Sequence, residues 1–368
     1  MMAANIPLAD YTTQRSRFIS MAQTKGGTLH SYPHPLSGPT GESLYTDVAL
    51  FGSETASRMM IVISGTHGVE GYYGSESQIA WLAQFEKDQL PADTALLLIH
   101  LLNPWGTAHL RRVNEDNIDL NRGFIDFSQP FPSNPDYLRW HDIYSGERAL
   151  ADKQLTSALS TKGWPALKRV VEAGQYQYPT GFFYGGSQPS WSMQTMQTII
   201  ERYLSNVHTI ISFDLHTGAG AWGHPMLLSV AEQQYPAHEW GKRIYGESLT
   251  LVFTGTGRDS ATGIAASATG YLSQFLLNAL PDTQILPLVV ECGTYPAEEM
   301  HRRLRNDHWL HLKGDPASTE GQEIKRDLVE AFWPADEDWR ALVAFRTQQF
   351  FARGWRTLLN RSEDQSRP

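Results

Sequence analysis

Apolar residues gather into short runs along the chain, separated by polar stretches rich in glycine and proline. Runs suited to buried strands are LYTDVALFG (44–52), RMMIVISG (58–65), ALLLIHLLN (95–103), VHTIISFDLH (207–216), PMLLSVA (225–231), LTLVFTG (249–255) and ILPLVVECG (285–293). Between them, apolar positions recur at helical spacing over 75–89, 192–205, 235–249 and 270–280. Strands alternating with helices predict an α/β fold: a mixed, largely parallel twisted sheet with helices on both faces. After residue 296 the pattern turns helical, in AEEMHRRLRNDHWLHL, STEGQEIKRDLVEAFW and EDWRALVAFRTQQFFARGW. These segments predict helices that close over the sheet. Residues 123–191 hold proline- and aromatic-rich loops around two or three helices and read as an elaboration of the same unit. No repeat, low-complexity tract or clear linker interrupts the chain. One domain over 1–368 is expected, with its core at about 45–310 and a helical part at 297–360. The final NRSEDQSRP reads as a frayed tail.

In open α/β sheets ligands bind beyond the carboxyl ends of the strands, so the residues after each apolar run carry the functional information. The run 58–65 ends in GTHGVEGYYGS, which places His67 and Glu70 three residues apart among glycines. After 95–103 comes NPWGTAHLRRVNEDNIDLNRGF, with Arg112, Asp119, Asn121 and Arg122. The run 207–213 leads into DLHTGAG, with Asp214 and His216, and 285–290 leads into ECGTYP, with Glu291. Catalytic zinc commonly takes two histidines and one carboxylate and keeps one position for water. His67, Glu70 and His216 form such a set, and Glu291 is the candidate general base. Ligating histidines are held by carboxylates behind them, and Asp119 and Asp214 are available, although Asp214 reads equally well as a structural residue. Arg112 is suited to polarise a carbonyl and steady its oxyanion. Arg122 beside Asn121 is suited to clamp a substrate carboxylate through parallel hydrogen bonds.

Composition narrows the partners. The chain has 368 residues, 41% hydrophobic and 19% charged, which fits a globular protein and excludes bulk disorder. A formal net charge of −9 argues against nucleic acid, which needs a basic face. No apolar run reaches the roughly 18 residues of a membrane span, and the first residues show no secretory pattern. One cysteine, Cys292, permits no internal disulfide and no cysteine metal cluster. A cytoplasmic protein is expected, with any metal held by His, Asp or Glu. The sequence leaves the oligomeric state open.

HGVEG, NPWG…RRVNEDNIDLNR, DLHTG and VVECGTYP, in this order, resemble the zinc carboxypeptidase superfamily. That group includes digestive carboxypeptidases, bacterial peptidoglycan-peptide carboxypeptidases and the succinylglutamate desuccinylase–aspartoacylase branch. The likeness spans roughly residues 45–310 and is nearest to a poorly characterised bacterial branch. It implies one zinc per chain, held by His67, Glu70 and His216. It also implies Glu291 as base and acid, Arg112 as carbonyl polariser, Asn121 and Arg122 as carboxylate binders, and Asp119 as support for the first histidine. The implied activity is hydrolysis of an amide or peptide bond in a carboxylate-bearing substrate, a small peptide. Alternatives are an amidohydrolase acting on an N-acyl amino acid and a non-catalytic ligand-binding module.

Two departures accompany the likeness. The digestive enzymes carry a mobile tyrosine before the base, whereas here the segment is GRDSATGIAASATGYLSQF and Tyr271 is expected to start a helix. Arg111 and Arg112 compete for the polarising role, and the spacing to DLNR favours Arg112. Other candidates fall away. His308 and His311 in NDHWLHL read as surface residues of a helix rather than a second metal site. TGTGRDSATG lacks the third glycine of a dinucleotide fingerprint and the lysine of a phosphate loop, and GYYGSES is not a serine nucleophile elbow. Cys292 reads as a small buried residue.

Overall fold

The computed structural model describes residues 10–87, 90–256 and 268–360. The expected frayed tail after Asn360 and most of TGTGRDSATG lie outside these residues. The strands are β1 (Thr28–Ser37), β2 (Ser43–Phe51), β3 (Arg58–Ile63), β4 (Thr94–His100), β5 (Thr209–Gly218), β6 (Pro225–Ala231), β7 (Leu249–Phe253) and β8 (Gln284–Gly293). They form one 8-stranded sheet in the order β1-β2-β4-β3-β5-β8-β6-β7. The four central strands β4-β3-β5-β8 run parallel, and β2 and β6 flank them antiparallel. The expected mixed, mostly parallel sheet is present.

Both faces of the centre are buried, because side chains alternate across a strand and each set needs cover. Met60 and Val62 of β3 join a core with Phe18, Leu82, Phe213, Trp339 and Phe351. Met59, Ile61 and Ile63 of the same strand join a second core with Met196, Ile199, Leu272 and Leu276. The first face is covered by α1 (Tyr11–Thr24), α2 (Gly71–Gln84) and α13 (Glu337–Leu359), and the second by α8 (Trp191–Tyr203) and α10 (Leu272–Ala279). Among the described residues, no helix is long and apolar enough to cross a membrane.

Short elements link the sheet to the elaboration. These are α3 (Pro104–Ala108), α4 (Leu120–Gly123), α5 (Leu138–Ser145), α6 (Arg148–Lys162) and α7 (Trp164–Val171), with α9 (His238–Tyr245) later in the chain. Helices α5, α6 and α7 build a small core of their own from Trp140, Tyr144, Leu155 and Leu167, with Tyr137 and Phe182 from the segments beside them. Of the C-terminal helices, α13 packs on the sheet as expected. By contrast, α11 (Ala297–Lys313) and α12 (Thr319–Phe332) pack Met300, Leu328 and Phe332 on Val69, beyond the end of β3. They close over the strand ends rather than the sheet face.

This placement corrects the reading of NDHWLHL. His311 is exposed, but His308 is buried, with Phe182 5.3 Å from its ring. The elaboration covers α11 on one side and α12 covers it on another, so the face that carries His301, Arg305 and His308 is buried. Tyr144 meets His301, and Arg305 meets Asp152, across the first of these contacts.

Candidate metal centre

His67 stands just past β3 and caps a single 3₁₀ turn, Gly68–Glu70, which runs directly into α2. The glycines of HGVEG have a physical reason here. A β-carbon at Gly68 would lie 2.1 Å from the carbonyl carbon of Gly106 in NPWG, so two backbones touch where any side chain would part them. Gly65 turns the chain out of the strand with φ +69°. Asp214 and His216 alternate with Leu215 on β5 and so share one face. Glu291 pairs with His216 across the β5–β8 ladder, which brings the fourth strand end to the same place.

His67, Glu70 and His216 are all buried, and one nitrogen or oxygen of each lies within 4.8 Å of the others. The two imidazole Nδ1 atoms face one another at 3.2 Å, with Glu70 Oε1 3.0 Å from the first and Oε2 2.9 Å from the second. The outer nitrogens point away to carboxylates: His67 Nε2 meets Asp119 Oδ1 at 3.2 Å, and His216 Nε2 meets Asp214 Oδ2 at 2.7 Å. Each ring is thus fixed from behind with its Nδ1 turned inward, the pattern by which ligating histidines are oriented. Asp214 is itself held by the Thr66 hydroxyl at 2.7 Å. Two inward nitrogens and a carboxylate, buried at the wall of a cavity, match the donor set of a divalent zinc site.

The electrostatics follow from burial and from these contacts. Burial would raise the Glu70 carboxyl, but the charges and hydrogen bonds of the two histidines hold it below the usual carboxylate range. Burial would lower His216, but Asp214 and Glu70 together push it well above an ordinary histidine. Burial opposes ionisation of Asp119 as well, and Arg112 and His67 outweigh it. For Glu291, burial and repulsion from Glu70 act together and raise the carboxyl to about 7. Its Oε1 accepts the Ala219 amide at 2.8 Å.

The two arginines of RRVNEDN separate cleanly. Arg112 lines the cavity and donates to Asp119 Oδ2 at 2.9 Å and Glu70 Oε1 at 3.2 Å. Arg111 turns away to Asp307 at 3.0 Å. Arg122 is 3% exposed and lines the same cavity. Its guanidinium donates to the backbone oxygens of Glu172 and Asn121, and among the described residues it has no carboxylate within ion-pair distance. Two of its five N–H groups stay uncommitted by these bonds. Asn121 Nδ2 lies 3.5 Å from His216 Nε2, and Asn121 Oδ1 accepts the Leu272 amide at 3.0 Å. Tyr271 caps the start of α10, as expected, and also lines the cavity, 5.1 Å from the Arg122 guanidinium by its ring centre. Cys292 is buried, and burial pushes its thiol up.

The cavity holds about 150 Å³. One part of its wall is apolar: Leu228, Val230 and Val289. Leu228 pairs with Val289 across β6 and β8, so the patch lies beside the strand that carries Glu291. Lys168, Glu172, Phe183 and His301 also line the cavity and have no counterpart in the strand-end reading. Lys168 and Glu172 are four apart on or beside α7, a spacing that marks them as one helix face, but nothing in the sequence aims that face at the site.

The sequence matches, over residues 8–346, the model of the family described as Protein of unknown function (DUF2817). The chain belongs to that family. The DUF2817 match takes in α1, the whole sheet and every site residue named above. No curated protein matches the chain in sequence. Among solved structures, carboxypeptidase A from Helicoverpa armigera aligns at 12% identity and TM-score 0.45, over 89% of this chain and 75% of that one. Thrombin activatable fibrinolysis inhibitor aligns at 11% and 0.48, over 96% and 76%. A metallo-carboxypeptidase from Burkholderia cenocepacia aligns at 11% and 0.38, over 92% and 69%.

Proposed function

We propose that this DUF2817 protein is a metal-dependent hydrolase that cleaves the amide bond next to a terminal carboxylate, releasing an amino acid. The observation that carries this reading is the convergence of His67, Glu70 and His216 within 4.8 Å, with His216 paired to Glu291 across β5 and β8. A zinc ion held by those three residues would supply a Lewis acid for the carbonyl and would make water acidic enough to deprotonate near neutral pH. The chain's own groups do the rest. Glu291 takes the proton of the attacking water and returns it to the leaving nitrogen. Arg112 donates to the carbonyl oxygen as negative charge builds there. Arg122, a buried cation with no carboxylate at ion-pair distance among the described residues, takes the substrate carboxylate, with Asn121 beside it.

The apolar wall of Leu228, Val230 and Val289 favours an aliphatic or aromatic side chain on the released residue, since a charged one would lose hydration there without a partner. A panel of short peptides and N-acyl amino acids tests both the reaction and this preference. Peptides ending in leucine or phenylalanine are expected to turn over at least about tenfold faster than those ending in aspartate or lysine. Their C-terminal amides are expected to be poor substrates. Arg122→Met is expected to raise KM roughly 10- to 100-fold, the value of a charge-assisted hydrogen bond. Turnover confined to N-acyl amino acids would replace the peptide reading with acyl-amino-acid hydrolysis. Equal rates on amides and free carboxylates would remove Arg122 from its role.

The carboxylates behind the histidines have a separate test. Asp214→Asn is expected to weaken zinc binding about 10- to 100-fold, as loss of such a partner does elsewhere. Competition with a chelator measures it, and unchanged affinity would leave Asp214 as a purely structural residue.

A further inference from the structure

Arg111 sits beside Arg112 but belongs to a different network. Its Nε donates to Asp307 Oδ2 of α11 at 3.0 Å, and Asp307 Oδ1 accepts from Lys325 Nζ of α12 at 2.5 Å. All three residues are buried. Lys325 also donates to the backbone oxygen of Leu110 at 3.3 Å. Ions brought out of water from three segments are a poor source of stability, and well-packed apolar groups of similar volume often do as well or better.

The geometric consequence of the triad is more specific. Leu110 has φ +52°, a left-handed conformation that costs a residue with a β-carbon on the order of 1 kcal/mol. Such a residue persists where its surroundings over-determine it, and here Lys325 grips its carbonyl while Arg111 anchors the next residue. The carbonyls that follow face the metal-centre turn. Arg111 O accepts the Val69 amide at 2.8 Å, and Arg112 O accepts the Gly68 amide at 3.1 Å. These are the amides between His67 and Glu70. The Arg112 side chain leaves the same backbone for Glu70 and Asp119.

We propose that Arg111, Asp307 and Lys325 form a positioning device that sets the His67–Glu70 turn and Arg112, with Asp307 as its hub. The triad touches neither metal nor substrate. Its role rests on His67 and Glu70 being metal ligands, but its effect on the backbone does not.

The test uses the triple variant Arg111→Met, Asp307→Leu, Lys325→Met, together with Lys325→Met alone, which leaves the Arg111–Asp307 pair in place. Amide hydrogen exchange at Gly68 and Val69 is read in metal-free protein, beside global stability from urea unfolding and zinc affinity from chelator competition. The triple variant is expected to keep wild-type global stability. Lys325→Met is expected to unfold at somewhat lower urea, since it leaves Asp307 Oδ1 and the Leu110 carbonyl without their donor. In both, Gly68 and Val69 exchange at least about tenfold faster relative to amides of the central strands. Zinc affinity is expected to fall roughly 10- to 100-fold. Lys325→Arg, which keeps a cation and donors for the same two acceptors, is expected to restore both. If the triple variant does not fold, Lys325→Met decides on the same readouts. Unchanged exchange at Gly68 and Val69 overturns the proposal whatever the zinc affinity. A wild-type protein that takes up no zinc would defeat the metal reading instead, and the exchange comparison would still stand.

Discussion

Glu291→Gln is expected to retain the metal and to lose hydrolysis by about 100- to 10,000-fold, the usual contribution of a positioned acid–base group. The glutamine keeps the volume of the side chain and an oxygen for the Ala219 amide. It loses only the capacity to take a proton. Glu291 is not among the three converging ligands, so metal content should not change. The pH profile gives an independent check. Hydrolysis needs Glu291 ionised, so the rate falls as pH falls through its pKa. Burial and then the Glu70 charge raise that carboxyl to about 7 in the metal-free protein. A dication bound at Glu70 opposes the second cause, so the acid limb of the loaded enzyme should lie below 7. Measurement of kcat/KM between pH 5 and 8 tests this. A Glu291→Gln variant with wild-type kcat would remove the residue from the reaction.

His216→Ala is expected to abolish activity at any zinc concentration that the protein tolerates. The substitution removes one of three inward donors and leaves Glu70 Oε2 with the Thr217 amide at 3.1 Å as its nearest remaining partner. It also strips Asp214 of the partner 2.7 Å away. Two buried carboxylates then face a void, and breaking a buried charged network by removing one partner costs roughly 3–5 kcal/mol. The variant should therefore unfold at lower urea concentration as well as fail to turn over substrate. Urea unfolding and kinetics with added zinc check both effects. Zinc-restored activity would show that His216 is dispensable as a ligand.

The strand ends could be read from sequence because each catalytic candidate follows an apolar run too regular to mistake. His67, Glu70, His216 and Glu291 meet where those runs stop, and Asp119, Asp214, Arg112 and Asn121 meet around them. Arg122 could be placed but its surroundings could not: its grip on the Glu172 carbonyl comes from a helix 50 residues away. Two elements had no readable signal. Strand β1, TLHSYPHPLS, lies at the sheet edge with most of its side chains partly or fully exposed, so it carries neither a continuous apolar run nor a clean alternation. Helix α1 is mostly polar and buries only Tyr11, Gln14, Phe18 and Ala22. Lys168 and Glu172 in the elaboration, and His301 on α11, stayed hidden, since helical spacing identifies a face without saying what it meets. The same blindness placed His308 on the surface. Its helix is covered on two sides, a fact of packing that no local pattern carries.

Metal content of purified protein by mass spectrometry, wild type against His216→Ala, decides whether His67, Glu70 and His216 hold a metal. About one zinc per wild-type chain is expected after zinc is supplied, and little or none in the variant. Wild-type protein without metal, or equal metal in both, would contradict that metal site and leave the two facing imidazoles and Glu70 as a buried hydrogen-bonded cluster.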